Sequence, residues 1–136
     1  MAAHIEDKGF ATMNQTGLAQ KYGSVVSHIK IARDQSDIHA VRVKDAQANL
    51  LLGCDALVAS NPETLRKLSP SCHAIVNTQT TETRDFLYTA KAMTSAGETA
   101  QLIRRIVGEH QIDRIDASAL AIALTGDAIA ANLFLV

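Results

Sequence analysis

Cysteine is scarce in this chain: Cys54 and Cys72 are the only two, far apart and in no Cys-x-x-Cys pair. That excludes a disulfide framework and the cysteine cluster of a ferredoxin, and it suits a reducing, cytoplasmic setting. Charge of one sign is lacking too. Thirteen Lys and Arg stand against fourteen Asp and Glu, the net charge is −1, and no basic cluster interrupts the balance. Such a chain has no electrostatic footprint for nucleic acid or an anionic membrane. The first residues, Met1 to Lys8, lack the apolar run of a secretion signal. The seven glycines, at 9, 17, 23, 53, 97, 108 and 126, form neither G-x-G-x-x-G nor G-x-x-x-x-G-K-[ST]. No phosphate-binding or dinucleotide-binding loop can be claimed. Five histidines are scattered, with no i, i+4 pair on a recognisable helix, so no metal site is expected. Only one apolar stretch has membrane length, Ala117 to Val136, and Asp127 and Asn132 lie inside it. A mid-membrane Asp costs roughly 3 kcal/mol, which favours a core helix and no membrane span.

What the chain does contain reads as one domain over residues 1–136, without repeat, linker or low-complexity tract. Ile5 to Lys8 looks like the end of a helix with Gly9 as its C′ residue. A short strand is expected over Phe10 to Met13, then a polar loop from Asn14 to Tyr22. From Val25 the residues alternate, with Val25, Ser27, Ile29 and Ile31 on one face and Val26, His28 and Lys30 on the other. This predicts a strand with one face more buried. Ala40 to Val43 reads as a weaker strand. Asn49 to Asp55 reads as a strand buried on both faces, with Cys54 a small buried hydrophobe. Asn61 and Pro62 open a helix to Leu68 that Ser69 and Pro70 stop, and His73 to Thr78 is another buried strand.

Ser95 and Glu98 form a capping box, and the helix they open turns Leu102, Ile103, Ile106 and Val107 to the core. Arg104, Arg105 and Glu109 lie largely outside. Ile112 to Ile115 is a strand, and either Asp116 or Ser118 caps the final apolar helix. Asp127, within that helix, must be hydrogen-bonded or must mark a break at Gly126. Strands alternating with helices predict an α/β fold: a three-layer Rossmann-like sandwich with a mostly parallel sheet and room for a hairpin.

The chain opens in the last turns of a helix and stops within an apolar one, at Asn132 to Val136, with no C-cap glycine. The expectation is a segment of a longer protein, truncated at its N-terminal strand; a natural short protein whose end packs on a partner is the alternative.

The stretch from Asn14 to His28 carries the chemistry. Gln15, Gln20 and Lys21 offer donors to a carboxylate or phosphate from a strand–loop–strand segment. A solvated loop whose Asn and Thr tie its own backbone explains the same residues equally well. His28 alone fits a hydrogen-bonded structural histidine better than a catalytic one. Cys72 and His73, being adjacent in a strand, point to opposite faces. Hydrolase chemistry on Ser27, His28 or Cys72 has no supporting spacing.

The run Asn14-Gln15-Thr16-Gly17-Leu18-Ala19-Gln20-Lys21-Tyr22-Gly23-Ser24-Val25-Val26-Ser27-His28 resembles the signature of the gamma-type domain of indolepyruvate ferredoxin oxidoreductases, in the pyruvate/ketoisovalerate oxidoreductase family. Leu50 to Asp55, Ala74 to Thr78 and Gly126 to Leu133 are similar to later parts of that domain, so the likeness covers nearly the whole chain. It implies oxidative decarboxylation of an aryl 2-oxoacid, with the acyl group passing to coenzyme A and electrons to ferredoxin. It also implies a parent complex with thiamine diphosphate, Mg and iron–sulfur clusters, none of them bound by this chain, which would be inactive alone. The implied partners are other domains or subunits of the same oxidoreductase. Gln15, Thr16, Gly17, Gln20, Lys21, Ser27 and His28 would be substrate-proximal or inter-domain contacts; no catalytic residue is assigned. The chain departs from the family in lacking its opening glycine-rich strand–helix unit and in placing Tyr22 where glycine is common. A free-standing small-ligand-binding or adaptor module is the competing expectation.

Overall fold

The computed structural model describes residues 2–16, 24–79 and 96–136, and these form two compact units, 1–45 and 46–136.

The first unit is a hairpin with flanking turns. Its opening helix, α1 (Ala2–Ile5), ends earlier than the glycine suggests, with its C′ residue two positions before Gly9. Asp7 takes the left-handed conformation (φ 53°), and the Lys8 amide reaches back to the Ala3 carbonyl at 2.8 Å. That is the six-to-one bond of a Schellman cap, with Asp in place of the expected glycine. Gly9 has a different task. It starts β1 (Gly9–Thr16), where a Cβ would sit 2.5 Å from the Asp34 carbonyl group and the Gln35 nitrogen. Only glycine fits that close backbone approach. The Gln35 side chain then accepts from the Phe10 amide at 3.1 Å.

β1 pairs antiparallel with β2 (Val25–Ala32), from Gly9 opposite Ala32 to Thr16 opposite Val25. Asn14 to Thr16 are therefore ladder residues and not loop, because each finds a partner across the hairpin. The alternation of β2 is as expected, but its more buried face is the one carrying Val26, His28 and Lys30. Val25, Ile29 and Ile31 are exposed, as is Phe10 opposite Ile31. Ala40 to Val43 is not a strand; it is irregular, and Val43 gives its amide to His28.

The second unit is a mixed α/β structure whose three parallel strands lie in the order β3 (Ala48–Gly53), β4 (Leu68–Asn77), β5 (Ile112–Ile115). Helices flank the sheet on both faces, an arrangement compatible with the expected Rossmann-like sandwich. One face of β4, with Cys72, Ala74 and Val76, packs with Ala56 and Ala59 of α2 (Ala56–Ala59) and Ile103 and Val107 of α4 (Ala96–Val107). Ile75 and Ile115 point the other way and meet α5 (Ala117–Thr125) and the final 3-10 helix (Ala128–Leu135).

α3 (Pro62–Lys67) starts as its sequence predicts, with Asn61 Oδ1 accepting from the Glu63 amide at 2.9 Å and proline at its first position. β4 begins directly after it. Pro70 is tolerated inside β4 because the register with β3 slips between Ala48 and Leu50, so the ladder is already interrupted there.

Four expectations need correction. β3 is an edge strand covered on one face, leaving Leu50 54% and Leu52 36% exposed. Cys54 is exposed, because it lies past the end of β3 in the turn toward α2. Leu102 sits at the rim of the α4 core face, at 36% exposure, while Thr99 and Ala100 are buried. The final apolar run is not one helix: α5 ends at Thr125, Gly126 turns left-handed (φ 80°), and Asp127 caps the 3-10 helix through the Ile129 amide at 3.0 Å. Of the two candidate caps for α5, Asp116 serves, accepting from the Ala119 amide at 2.8 Å. Ser95, half of the expected capping box, lies outside the described residues. Among the described residues no single helix is long and apolar enough to cross a membrane. α5 and the final 3-10 helix pass that test only together and are bent by 119°.

Candidate functional site

Among the described residues, two groups of polar side chains bear on a candidate site, one in each unit. The first is the distal half of the hairpin. Asn14 faces Ser27 across the ladder, and the Ser27 hydroxyl donates to Asn14 Oδ1 at 2.8 Å. Met13 faces His28, whose Nδ1 accepts the Val43 amide at 3.2 Å while the ring is nearly buried. A ring held this way presents Nδ1 as an acceptor, its orientation fixed by a backbone donor. Gln15 and Thr16 continue β1 and are exposed.

Period-two geometry splits these residues. Thr16 and Ser27 belong to one face of the hairpin, Gln15 and His28 to the other. The structure thus joins Asn14 to Ser27 and His28 to Val43 but does not bring Ser27 and His28 together. Gly17, Gln20 and Lys21 lie outside the described residues.

The second place is the C-terminal edge of the parallel sheet, where open α/β folds bind ligands. β3 delivers Cys54 and Asp55 there, β4 delivers Asn77 to Gln79, and β5 delivers Asp116. At its centre is Asn77, almost fully buried. Its Oδ1 accepts from the Ala117 amide at 3.2 Å and the Gln79 amide at 3.3 Å. Its Nδ2 donates to the Cys54 carbonyl at 3.3 Å and the Ser118 hydroxyl at 3.1 Å. An amide side chain has two donors and two acceptor positions, so Asn77 is fully used in joining three chain segments.

The neighbouring carboxylates also serve the fold. Asp55 caps α2 through the Leu57 and Val58 amides, and Asp116 caps α5. The Thr99 hydroxyl, in the first turn of α4, is fully buried and has no hydrogen-bond partner among the described residues. Partial shielding from water pushes the Cys54 thiol above its ordinary value; a backbone hydrogen bond opposes this, and the Asp55 carboxylate adds to it. Burial likewise raises Cys72.

Neither place has the donors of a cluster site. An iron–sulfur cluster takes four thiolates, whereas Cys72 is buried under α4 and Cys54 stands alone at the sheet edge. Among the described residues no group of three or more His, Cys, Asp or Glu could hold a metal ion. Cys72 and His73 point to opposite faces: the sulfur lies in the core, and the imidazole Nε2 meets Asp113 Oδ2 at 2.8 Å on the exposed side.

Asn77 was not singled out by sequence reasoning. Its signal was an amide closing the apolar run Ala74 to Val76, at a strand end where a buried Asn has several backbone groups to satisfy. In comparisons with known proteins, no protein-family model, no curated protein and no solved structure matches the chain.

Proposed function

We propose that this chain is a domain of a cytoplasmic indolepyruvate-type 2-oxoacid:ferredoxin oxidoreductase and has no turnover of its own. What supports the reading is the run from Asn14 to His28, whose residues resemble the gamma-type signature. Its two ends, Asn14 to Thr16 and Val25 to His28, pair across one hairpin. In the parent enzyme the role of the run is to contact substrate or a neighbouring domain. Thiamine diphosphate with Mg, the clusters and the coenzyme A chemistry belong to other domains. The donor set here does not fit a cluster, and no reaction step is assigned to these residues.

The test uses antibody against this chain on lysate of its source. The expected precipitate reduces viologen when supplied with indolepyruvate and coenzyme A, while the purified chain alone does not. A precipitate without oxoacid-dependent reduction, or turnover by the purified chain, would sink the proposal.

A further inference from the structure

The sheet of the second unit lies between two unequal layers. On one side, Ile103 and Val107 of α4 with Ala56 and Ala59 of α2 cover Cys72, Ala74 and Val76. On the other, α5 and the final 3-10 helix bury Ala117, Ala121, Ala131 and Leu135 near Ile75 and Ile115. Three of those four are alanines, and burial stabilises in proportion to the apolar area removed from water. Of the bulky side chains in the same segment, Leu135 is buried and Phe134 partly so, whereas Ile129 is 85% and Leu133 78% exposed.

Its local structure is weak as well. Ala128–Leu135 is an eight-residue run of 3-10 helix, and runs beyond three or four residues are uncommon because their hydrogen bonds are poorly aligned. The polar ties around the bend are internal to the segment: Thr125 Oγ1 to the Ala121 and Asp127 carbonyls, and Asp127 to the Ile129 amide. They survive if the segment moves as one piece. By contrast, the Ala117 amide donates to Asn77 of β4 and the Ser118 hydroxyl accepts from it.

We infer that α5 and the final 3-10 helix form a detachable strap, hinged at Asp116 and latched by Asn77. The strap lifts from Ile75 and Ile115 while the sheet, α2 and α4 stay folded. Lifting uncovers an apolar face of the sheet without disturbing the opposite core, which makes it a conformational device rather than a step of global unfolding.

Native-state hydrogen exchange on the whole chain, over a series of low denaturant concentrations, tests this. Strap amides should exchange at least about tenfold faster than those of α4 and β4, with a shallower denaturant dependence, since partial opening exposes less surface. Ser118→Ala removes one latch bond while keeping Asn77, and should speed strap exchange by about three- to tenfold. Amides that open only by global unfolding should gain the same factor, because the native state itself is weakened, and keep their steeper slope. Equal rates and slopes in the strap, α4 and β4 would overturn the inference, as would strap exchange indifferent to Ser118→Ala.

Discussion

Truncating Asn77 to alanine removes one side chain and four hydrogen bonds, spread over the Cys54 carbonyl, the Gln79 and Ala117 amides and the Ser118 hydroxyl. All four lengths fall between 3.1 and 3.3 Å, the long end of the usual range, so each belongs low in its energetic bracket. At about 0.5–1 kcal/mol per bond the direct loss is about 2–4 kcal/mol. Stranded partners set where in that range it falls. Ala117 is fully buried and its amide loses its acceptor, whereas groups that reach water recover part of their loss. A value near 3 kcal/mol should lower the urea midpoint by about 1.5 M for a slope near 2 kcal/mol per M. The assay is urea denaturation followed by circular dichroism. A loss below about 1 kcal/mol would refute the reasoning, because the four groups would then be as well served by water. A reduced slope would instead mean that the strap opens before the main transition. Asn77→Asp extends the test to pH: it keeps two acceptors but turns a carboxylate toward the Cys54 carbonyl. Its folded pKa must therefore rise above the unfolded value of about 3.9. Stability relative to the parent chain is then greatest below that unfolded value and is lost as pH rises through the folded one.

The same geometry sets four further outcomes. Gly9→Ala pushes a methyl group into the backbone at Asp34 and Gln35 and should cost about 1–3 kcal/mol, read as a lower melting temperature; an unchanged one would mean the approach is looser than described. Gly126→Ala meets open space, yet its φ of 80° is left-handed, so a loss of only about 1–2 kcal/mol is expected in the same melt. In thiol labelling, Cys54 should react in the native chain and Cys72 only after unfolding, with Cys54 still accelerating above pH of about 8.5, where an ordinary thiol levels off. Because Cys72 stays neutral in the fold while the unfolded thiol ionises, its contribution is complete below the ordinary thiol pKa. It falls as pH rises past that value, and Cys72→Ala should flatten the decline.

Much of the fold was legible where local chemistry has one solution. Asn61 followed by Pro62 can cap and start a helix and little else, and α3 begins there. The alternation from Val25 to Ile31 marks a strand whatever it packs against. Two features depended on residues distant in sequence, and a third on two neighbours acting together. Gly9 resembled a helix terminator, but what demands glycine is the backbone of Asp34 and Gln35. Leu50 to Leu52 reads like a strand covered on both faces, and only the strand order shows β3 at an edge with one face open. The run after Ala117 left two readings open, a hydrogen-bonded Asp127 within one helix or a break at Gly126. Gly126 and Asp127 could each be accommodated alone, and only together do they end α5 and cap the 3-10 helix from Ala128 to Leu135.

The hairpin shows why site chemistry is harder to read than fold. Alternation separates two faces but does not say which is inward, and apolar Val25, Ile29 and Ile31 invite the wrong choice. His28 is the inward residue because the chain at Val43 returns to meet it, a contact fifteen positions away. That contact limits what the segment can do. A nucleophile and its base must share a hydrogen bond, yet Ser27 and His28 leave opposite faces of β2. The Ser27 hydroxyl is committed to Asn14 and the His28 Nδ1 to Val43. Covalent catalysis by this pair is therefore excluded on geometry.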